Sequence, residues 1–347
     1  MKPSQRSAVC LRLDVLNHTY DSSEGVLLWV TWSFLAAPRP ALSPLYTVDR
    51  QGYIAGMDSL GRSSILLSVE PDQAPELKTI SGHDIESDGM TVVVDEFDVY
   101  TESSRICTDG EFLYYYDRDV RPDCIMRVSL SSGDSMGWIP SPSGGPDNYL
   151  CDSTCVSNGQ LFTVGYKDRK LYRTKLAPPG ASLDQSVLDI HCPIDSVKWE
   201  VVADIPGDVC DIDIIARDDD KFQLVCVLYE DDRNYIHFVD FNGNGSIEPY
   251  EPADMCKFVP SYDELVCVAA RPYCKSFSSV SLLDIWSMSV LFTLRPSEDC
   301  GQDQQLSCFR YLAITQSGLV VLTHQKTGGG YNPLFTVMAS RVHFSTG

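Results

Sequence analysis

Runs of four to seven aromatic or β-branched residues recur along the chain, separated by short polar turns, and the runs come in pairs. One pair joins Leu161-Phe162-Thr163-Val164-Gly165-Tyr166 to Leu171-Tyr172-Arg173-Thr174 through Lys167-Asp168-Arg169-Lys170. Another joins the stretch from Phe222 to Tyr229 to Tyr235-Ile236-His237-Phe238-Val239 through Asp231-Asp232-Arg233-Asn234. Runs this short, bounded by Asp, Asn and Gly, predict strands joined as hairpins. The same plan pairs 45–48 with 53–57, 112–116 with 125–128, 265–269 with 280–283, and 319–322 with 334–337. No stretch carries three turns of amphipathic helical periodicity, which argues against an α/β enzyme fold.

Further strands flank these hairpins. Before them stand Ile106-Cys107-Thr108-Asp109-Gly110, Cys155-Val156-Ser157-Asn158-Gly159 and Ile314-Thr315-Gln316-Ser317-Gly318. After them come Ile65 to Val69, Trp138-Ile139-Pro140, Trp199-Glu200-Val201-Val202 and Val290-Leu291-Phe292-Thr293. Units of four strands thus begin near 45, 112, 161, 222, 265 and 319, with a spacing of about 55 residues. A lone four-stranded sheet cannot bury both faces, whereas a ring of such sheets stacks face to face and leaves few edges. The expectation is an all-β fold, a β-propeller of six blades with four antiparallel strands each, seven blades being the alternative. It spans 1–347 as a single domain, with an acidic insertion at 70–104 and N-terminal strands at 8–16 or 26–34 closing the ring. The 70–104 stretch holds a candidate strand at Met90 to Val94, so an extra blade is the other reading of it.

In the third unit, Asn158-Gly159-Gln160-Leu161-Phe162-Thr163-Val164-Gly165, followed by Trp199-Glu200-Val201-Val202-Ala203-Asp204-Ile205-Pro206, resembles a kelch-type blade. In that family a glycine ends the second strand and a tryptophan opens the fourth. Trp138-Ile139-Pro140 echoes the pattern one unit earlier, so the resemblance covers two blades. It departs at the paired glycine, here Gly165-Tyr166, and at residues 176–198, which intrude before the tryptophan. The Trp-Asp signature of the other large propeller family is absent. The resemblance implies a non-enzymatic scaffold that offers its loops to another protein.

Charge narrows the partner. With 27 basic and 48 acidic residues the formal net charge is −21. Such a surface repels phosphate backbones and anionic headgroups, which excludes nucleic acid and membrane surfaces as expected partners and favours a protein with a basic surface. The longest apolar run, Val26 to Ala37, falls short of the roughly 20 residues a membrane helix needs. Charges at Lys2, Arg6, Arg12 and Asp14 interrupt any signal-peptide core. Thirteen cysteines with no C-x-x-C spacing fit buried thiols in a reducing, cytoplasmic setting.

Two motifs are candidates for binding. Asp-Arg recurs at Asp49-Arg50, Asp117-Arg118, Asp168-Arg169 and Asp232-Arg233, at predicted turns joining second and third strands. In a propeller those turns emerge on one face, where they serve either as turn chemistry or as a ring of docking side chains. The second motif, Asp240 to Glu251, matches the calcium-loop template D-x-[DN]-x-[DN]-G-x5-E, with Asp240, Asn242, Asn244 and Glu251 as ligands and Gly245 at the bend. Pro249 and Pro252 obstruct the helix such a loop would lead into, and Asn-Gly twice is a hairpin signal. Calcium is the one cofactor the sequence suggests. The six histidines lack metal spacing, and no phosphate loop is present. An enzyme built from distant loops, with a central-channel site of hydrolase or lyase type, is the alternative function, and a calcium-stabilised structural propeller the third reading.

Overall fold

The computed structural model describes residues 9–14, 41–48, 52–59, 64–71, 77–84, 89–98, 106–116, 124–130, 135–142, 150–176, 197–218, 221–250, 253, 255–260, 262–269, 280–296, 306–314, 319–326 and 334–346. Among the described residues every regular element is a strand, and no helix is long and apolar enough to cross a membrane. In chain order, β1 (Val9–Asp14) and β2 (Ala41–Val48) come first. A four-stranded antiparallel sheet follows, of β3 (Gly52–Ser59), β4 (Ser64–Pro71), β5 (Leu77–Asp84) and β6 (Gly89–Asp98). The next holds β7 (Ile106–Thr108), β8 (Phe112–Tyr116), β9 (Cys124–Ser129) and β10 (Ser135–Pro140). The third holds β11 (Leu150–Ser157), β12 (Gln160–Gly165), β13 (Lys170–Lys175) and β14 (Glu200–Asp204). The fourth holds β15 (Asp208–Ala216), β16 (Phe222–Glu230), β17 (Arg233–Val239) and β18 (Gly245–Pro249). The remaining strands are β19 (Met255–Val259), β20 (Tyr262–Ala269), β21 (Val280–Asp284), β22 (Ser289–Pro296), β23 (Leu306–Ile314), β24 (Leu319–Lys326) and β25 (Leu334–Thr346).

These last strands form one nine-stranded sheet with β1 and β2. It is two sets, β19 to β22 and β23-β24-β25-β2, joined by a short parallel contact in which Ala41 pairs with Arg295 and Leu42 with Pro296. The first strands of successive sets lie against one another in the order β3, β7, β11, β15, β19, β23, and β23 lies against β3. Sheets arranged radially around a closed inner ring define a β-propeller. β2 adds to β25 beside this ring, and β1, within the 8–16 window, pairs with the far half of β25 from Arg341 to Thr346. The 26–34 window lies outside the described residues.

Two pairings differ from the expectation. Residues 45–48 and 53–57 do not form a hairpin: β2 pairs with β25, and β3 pairs with β4. Closing a ring without leaving an open edge takes a strand from one end of the chain into the last sheet, so neighbours in sequence part company here. The polar stretch 70–104 contains β5 and β6, paired with each other and through β5 with β4. Residues 65–69, read as a fourth strand, thereby lie in β4, the second strand of its sheet.

Burial explains the continuous apolar runs. Middle strands are covered on both faces, β12 along its whole length and β16 from Gln223 to Leu228, so they need no polar alternation. Outer strands β14 and β18 are mostly exposed. Leu161, Tyr114, Tyr116, Ile125 and Ile139 pack between the second and third units, with Trp199 against them. Trp199 Nε1 donates to Pro140 O at 2.6 Å, fastening the outer strands of those two sheets together. Phe162, Val164, Ile212, Leu224 and Cys226 fill the next interface, and Val225, Ile236, Phe258 and Val266 the one after.

Candidate functional site

The hairpin turns of the third and fourth sheets meet in an open cleft of about 340 Å³, lined by Arg169, Asp208, Tyr229, Glu230, Asp231 and Asp232. Asp231 and Asp232 form the two-residue loop between Glu230 and Arg233, with φ of 49° and 62°, the left-handed pair that matches strand twist in a tight hairpin. Arg169 reaches from the neighbouring turn to Asp208 Oδ1 at 2.8 Å, and both side chains stay more than two-fifths exposed. Tyr229, 43% exposed, donates its hydroxyl to Asp232 Oδ1 at 2.8 Å. One guanidinium against four carboxylates leaves the cleft acidic, with an aromatic ring on its wall.

The Asp-Arg pairs divide their work. Asp168 turns inward: its carboxylate accepts from Lys170 N at 3.3 Å and from the Tyr172 hydroxyl, which burial and this carboxylate push up to about 12. A Cβ at Gly165 would overlap Asp168 Oδ1, so a larger residue there would push the Asp168 carboxylate out of its place. Its partner Arg169 points to the next sheet and into the cleft. In the fourth unit the roles reverse: Asp232 lines the cleft, while Arg233 opens β17 opposite Glu230. Asp49, Arg50, Asp117 and Arg118 lie outside the described residues. Asp208 had no signal in the sequence, because it stands at the start of a strand 39 positions beyond Arg169.

A second polar cluster lies on the inner ring. Lys257 Nζ, on β19, is 3.5 Å from Asp213 Oδ1 on β15, each side chain about one-fifth exposed. Burial disfavours the charged lysine, yet Asp213, Asp58 and Asp211 outweigh it and hold its pKa well above the ordinary value. Burial also lifts Asp58 and Asp213 above the usual carboxylate range, opposed by Lys257 and by backbone donors. Each carboxylate serves a neighbouring strand. Asp58 accepts from Thr108 N at 2.9 Å, Asp211 from Cys256 N at 3.0 Å, and Asp213 from Phe258 N at 2.8 Å. Ser157 Oγ accepts from Ala216 N at 2.9 Å in the same manner. These side chains satisfy the unpaired amides of the inner strands, which otherwise face no ladder partner. The sequence signal was an Asp-Ile-Asp step inside an apolar strand, legible only once the ring direction is known.

The Asp240 loop joins β17 to β18 as a hairpin. Asp240 Oδ1 accepts from Asn242 N and Asn244 N, both at 2.8 Å, and Oδ2 from the side-chain amides of Asn242 at 3.4 Å and Asn244 at 3.0 Å. Burial opposes ionisation of Asp240, but these four donors win and lower its pKa. A cation would have to displace them. Glu251 lies outside the described residues, and among the described residues no three His, Cys, Asp or Glu side chains converge as metal ligands.

No known protein family matches the sequence, and no curated protein matches it. Among solved structures, a chain of a nidogen–laminin complex has a TM-score of 0.47 at 11% identity, covering 71% of this chain and 81% of that one. A streptogramin B lyase has 0.48 at 9% identity over 87% and 97% of the two chains. The Dos1 propeller has 0.40 at 12% identity over 82% and 71%. These are partial likenesses, and the closed ring of inner strands defines the fold independently of them.

Proposed function

We propose that this chain is a six-bladed propeller, with β2 completing the last blade and repeats of the kelch type, that works as a non-enzymatic scaffold for a protein with a basic surface. The observation that carries the reading is the acidic cleft at the turn face. Two adjacent sheets deliver Arg169, Asp208, Tyr229 and Glu230-Asp231-Asp232 to one open place, where Tyr229, Glu230, Asp231 and Asp232 are exposed. Charge of this kind steers association more than it adds affinity, so binding should be fast and salt-sensitive. The inner-ring cluster supports an enzyme less well, because Asp58, Asp211 and Asp213 are engaged by backbone amides.

Fluorescence anisotropy with a panel of Lys- and Arg-rich peptides tests this. The reading expects saturable binding that weakens with salt and falls about tenfold or more in the Asp231→Lys/Asp232→Lys variant. Arg169→Ala should strengthen binding by removing the cleft's cation, at a stability cost of no more than about 1 kcal/mol for an exposed pair. No binding by the parent, or binding indifferent to the charge reversal, overturns the assignment.

A further inference from the structure

The hairpin between β17 and β18 reads Asn242-Gly243-Asn244-Gly245, two exposed asparagines each followed by glycine. An asparagine side-chain carbonyl is open to attack by the backbone nitrogen of the next residue, and glycine presents that nitrogen without a Cβ to shield it. The two sites differ in what holds the nucleophile. Gly243 N donates to Asp240 O at 2.9 Å, so the nitrogen that Asn242 needs is occupied. Asp240 N donates to Asn244 O at 2.9 Å, and Tyr250 N to Asn234 O at 3.0 Å, which sets the alternation of bonded pairs along the two strands. Val239 and Gly245 are then a wide pair with no mutual hydrogen bond. Because β18 is the outermost strand, Gly245 N points away from the sheet towards solvent.

We propose that Asn244 is a site of spontaneous deamidation, selected over Asn242 by the free amide of Gly245. Gly245 N attacks Asn244 Cγ; the N–Cγ bond forms, the Cγ–Nδ2 bond breaks, and ammonia leaves carrying the proton from Gly245 N. Water then opens the cyclic imide at either carbonyl, giving aspartate or isoaspartate, with no change of oxidation state. The product sets a carboxylate where an amide donated to Asp240 Oδ2 at 3.0 Å. In the isoaspartyl form the main chain is one carbon longer at the residue whose carbonyl closes the hairpin. Both products loosen the start of β18, and age would be recorded as fraying of that outer strand. The inference is independent of the acidic cleft.

The whole chain, held folded at mildly alkaline pH, is sampled over days by peptide mapping, with an isoaspartyl methyltransferase as a second probe. Both side chains must leave Asp240 Oδ2, from 3.4 Å for Asn242 and 3.0 Å for Asn244, but only Asn242 must also free a bonded nucleophile at a cost of about one hydrogen bond, so Asn244 is expected to convert about threefold faster than Asn242. In the denatured chain the two should convert at similar rates. A Cβ at Gly245 would meet Phe238 O at 3.3 Å, close enough to accept with a small shift, so Gly245→Ala should fold and should slow Asn244 alone. The aged fraction should exchange its β18 amides faster than fresh protein. Equal rates in the folded chain, faster loss of Asn242, or an Asn244 that stays intact while the denatured chain converts would overturn the proposal.

Discussion

Replacing Lys257 by methionine keeps a long side chain on β19 and deletes the ammonium that faces Asp213, Asp58 and Asp211. At 3.5 Å from Asp213 Oδ1, with both partners about one-fifth exposed, the Coulomb attraction at an effective dielectric constant of about 20 is about 5 kcal/mol. Part of that offsets the desolvation of the lysine itself. Because the pair is about one-fifth exposed, the remaining loss at neutral pH lies towards the lower end of the about 3–5 kcal/mol that removing one partner of a fully buried pair costs. The pH dependence gives the sharper test. Asp58 and Asp213 have folded pKa values raised by burial, so each favours folding below its unfolded value near 3.8, and that contribution is lost as pH rises through the folded value. Without Lys257 both rise further, so the variant's deficit should widen with rising pH and shrink on acidification. Urea unfolding of parent and variant, at neutral and mildly acidic pH, measures the difference. Adding Asp213→Asn to the variant should return part of the loss. A variant as stable as the parent, or a deficit equal at both pH values, would refute the view that Lys257 holds this cluster together.

Phe162→Ala empties a fully buried position whose ring lies 6.0 Å from that of Phe222, and should cost about 3–5 kcal/mol in the same unfolding assay. The thiols of Cys107 and Cys267 are pushed up to about 12 by burial, so a thiol reagent should label them only as the chain unfolds. Since their folded pKa values exceed the ordinary value of 9.0, the chain should lose stability progressively from about pH 9 upward, as the unfolded thiols ionise first; a flat alkaline profile would contradict this. Calorimetric titration of a chelator-stripped sample with calcium to millimolar levels should show no saturable heat. The four donors on Asp240 occupy the oxygens a cation would need, and a clear binding isotherm would mean that they swing aside.

The hairpins of the third and fourth units were legible in the sequence almost to the residue. Phe162 to Gly165 is a fully buried strand and Tyr235 to Val239 one that buries Ile236 and Phe238, and positive φ falls on the turn residues Asn158-Gly159 and Asp231-Asp232 that favour it, with Arg169 the exception. That every regular element among the described residues is a strand follows from the same short spacing. The candidate cleft was half legible: the sequence pointed to Arg169 and Asp232 as turn residues, but it gave them matched roles that the structure divides. Asp208 and Tyr229 join them only because two sheets stand side by side.

Local pattern therefore determined which segments are strands, which residues turn, and that the chain must stack sheets to bury them, because strand propensity and turn chemistry act over a few residues. The tertiary structure decided which strands share a sheet: β2 with β25 across nearly the whole chain, β5 and β6 in a stretch that reads as polar insertion. It also decided that Asp58, Asp211, Asp213 and Lys257 face one another. Pairing between distant segments is set by closure of the ring and by the Coulomb energy of charges that meet only there, and neither quantity is written in any single stretch of residues.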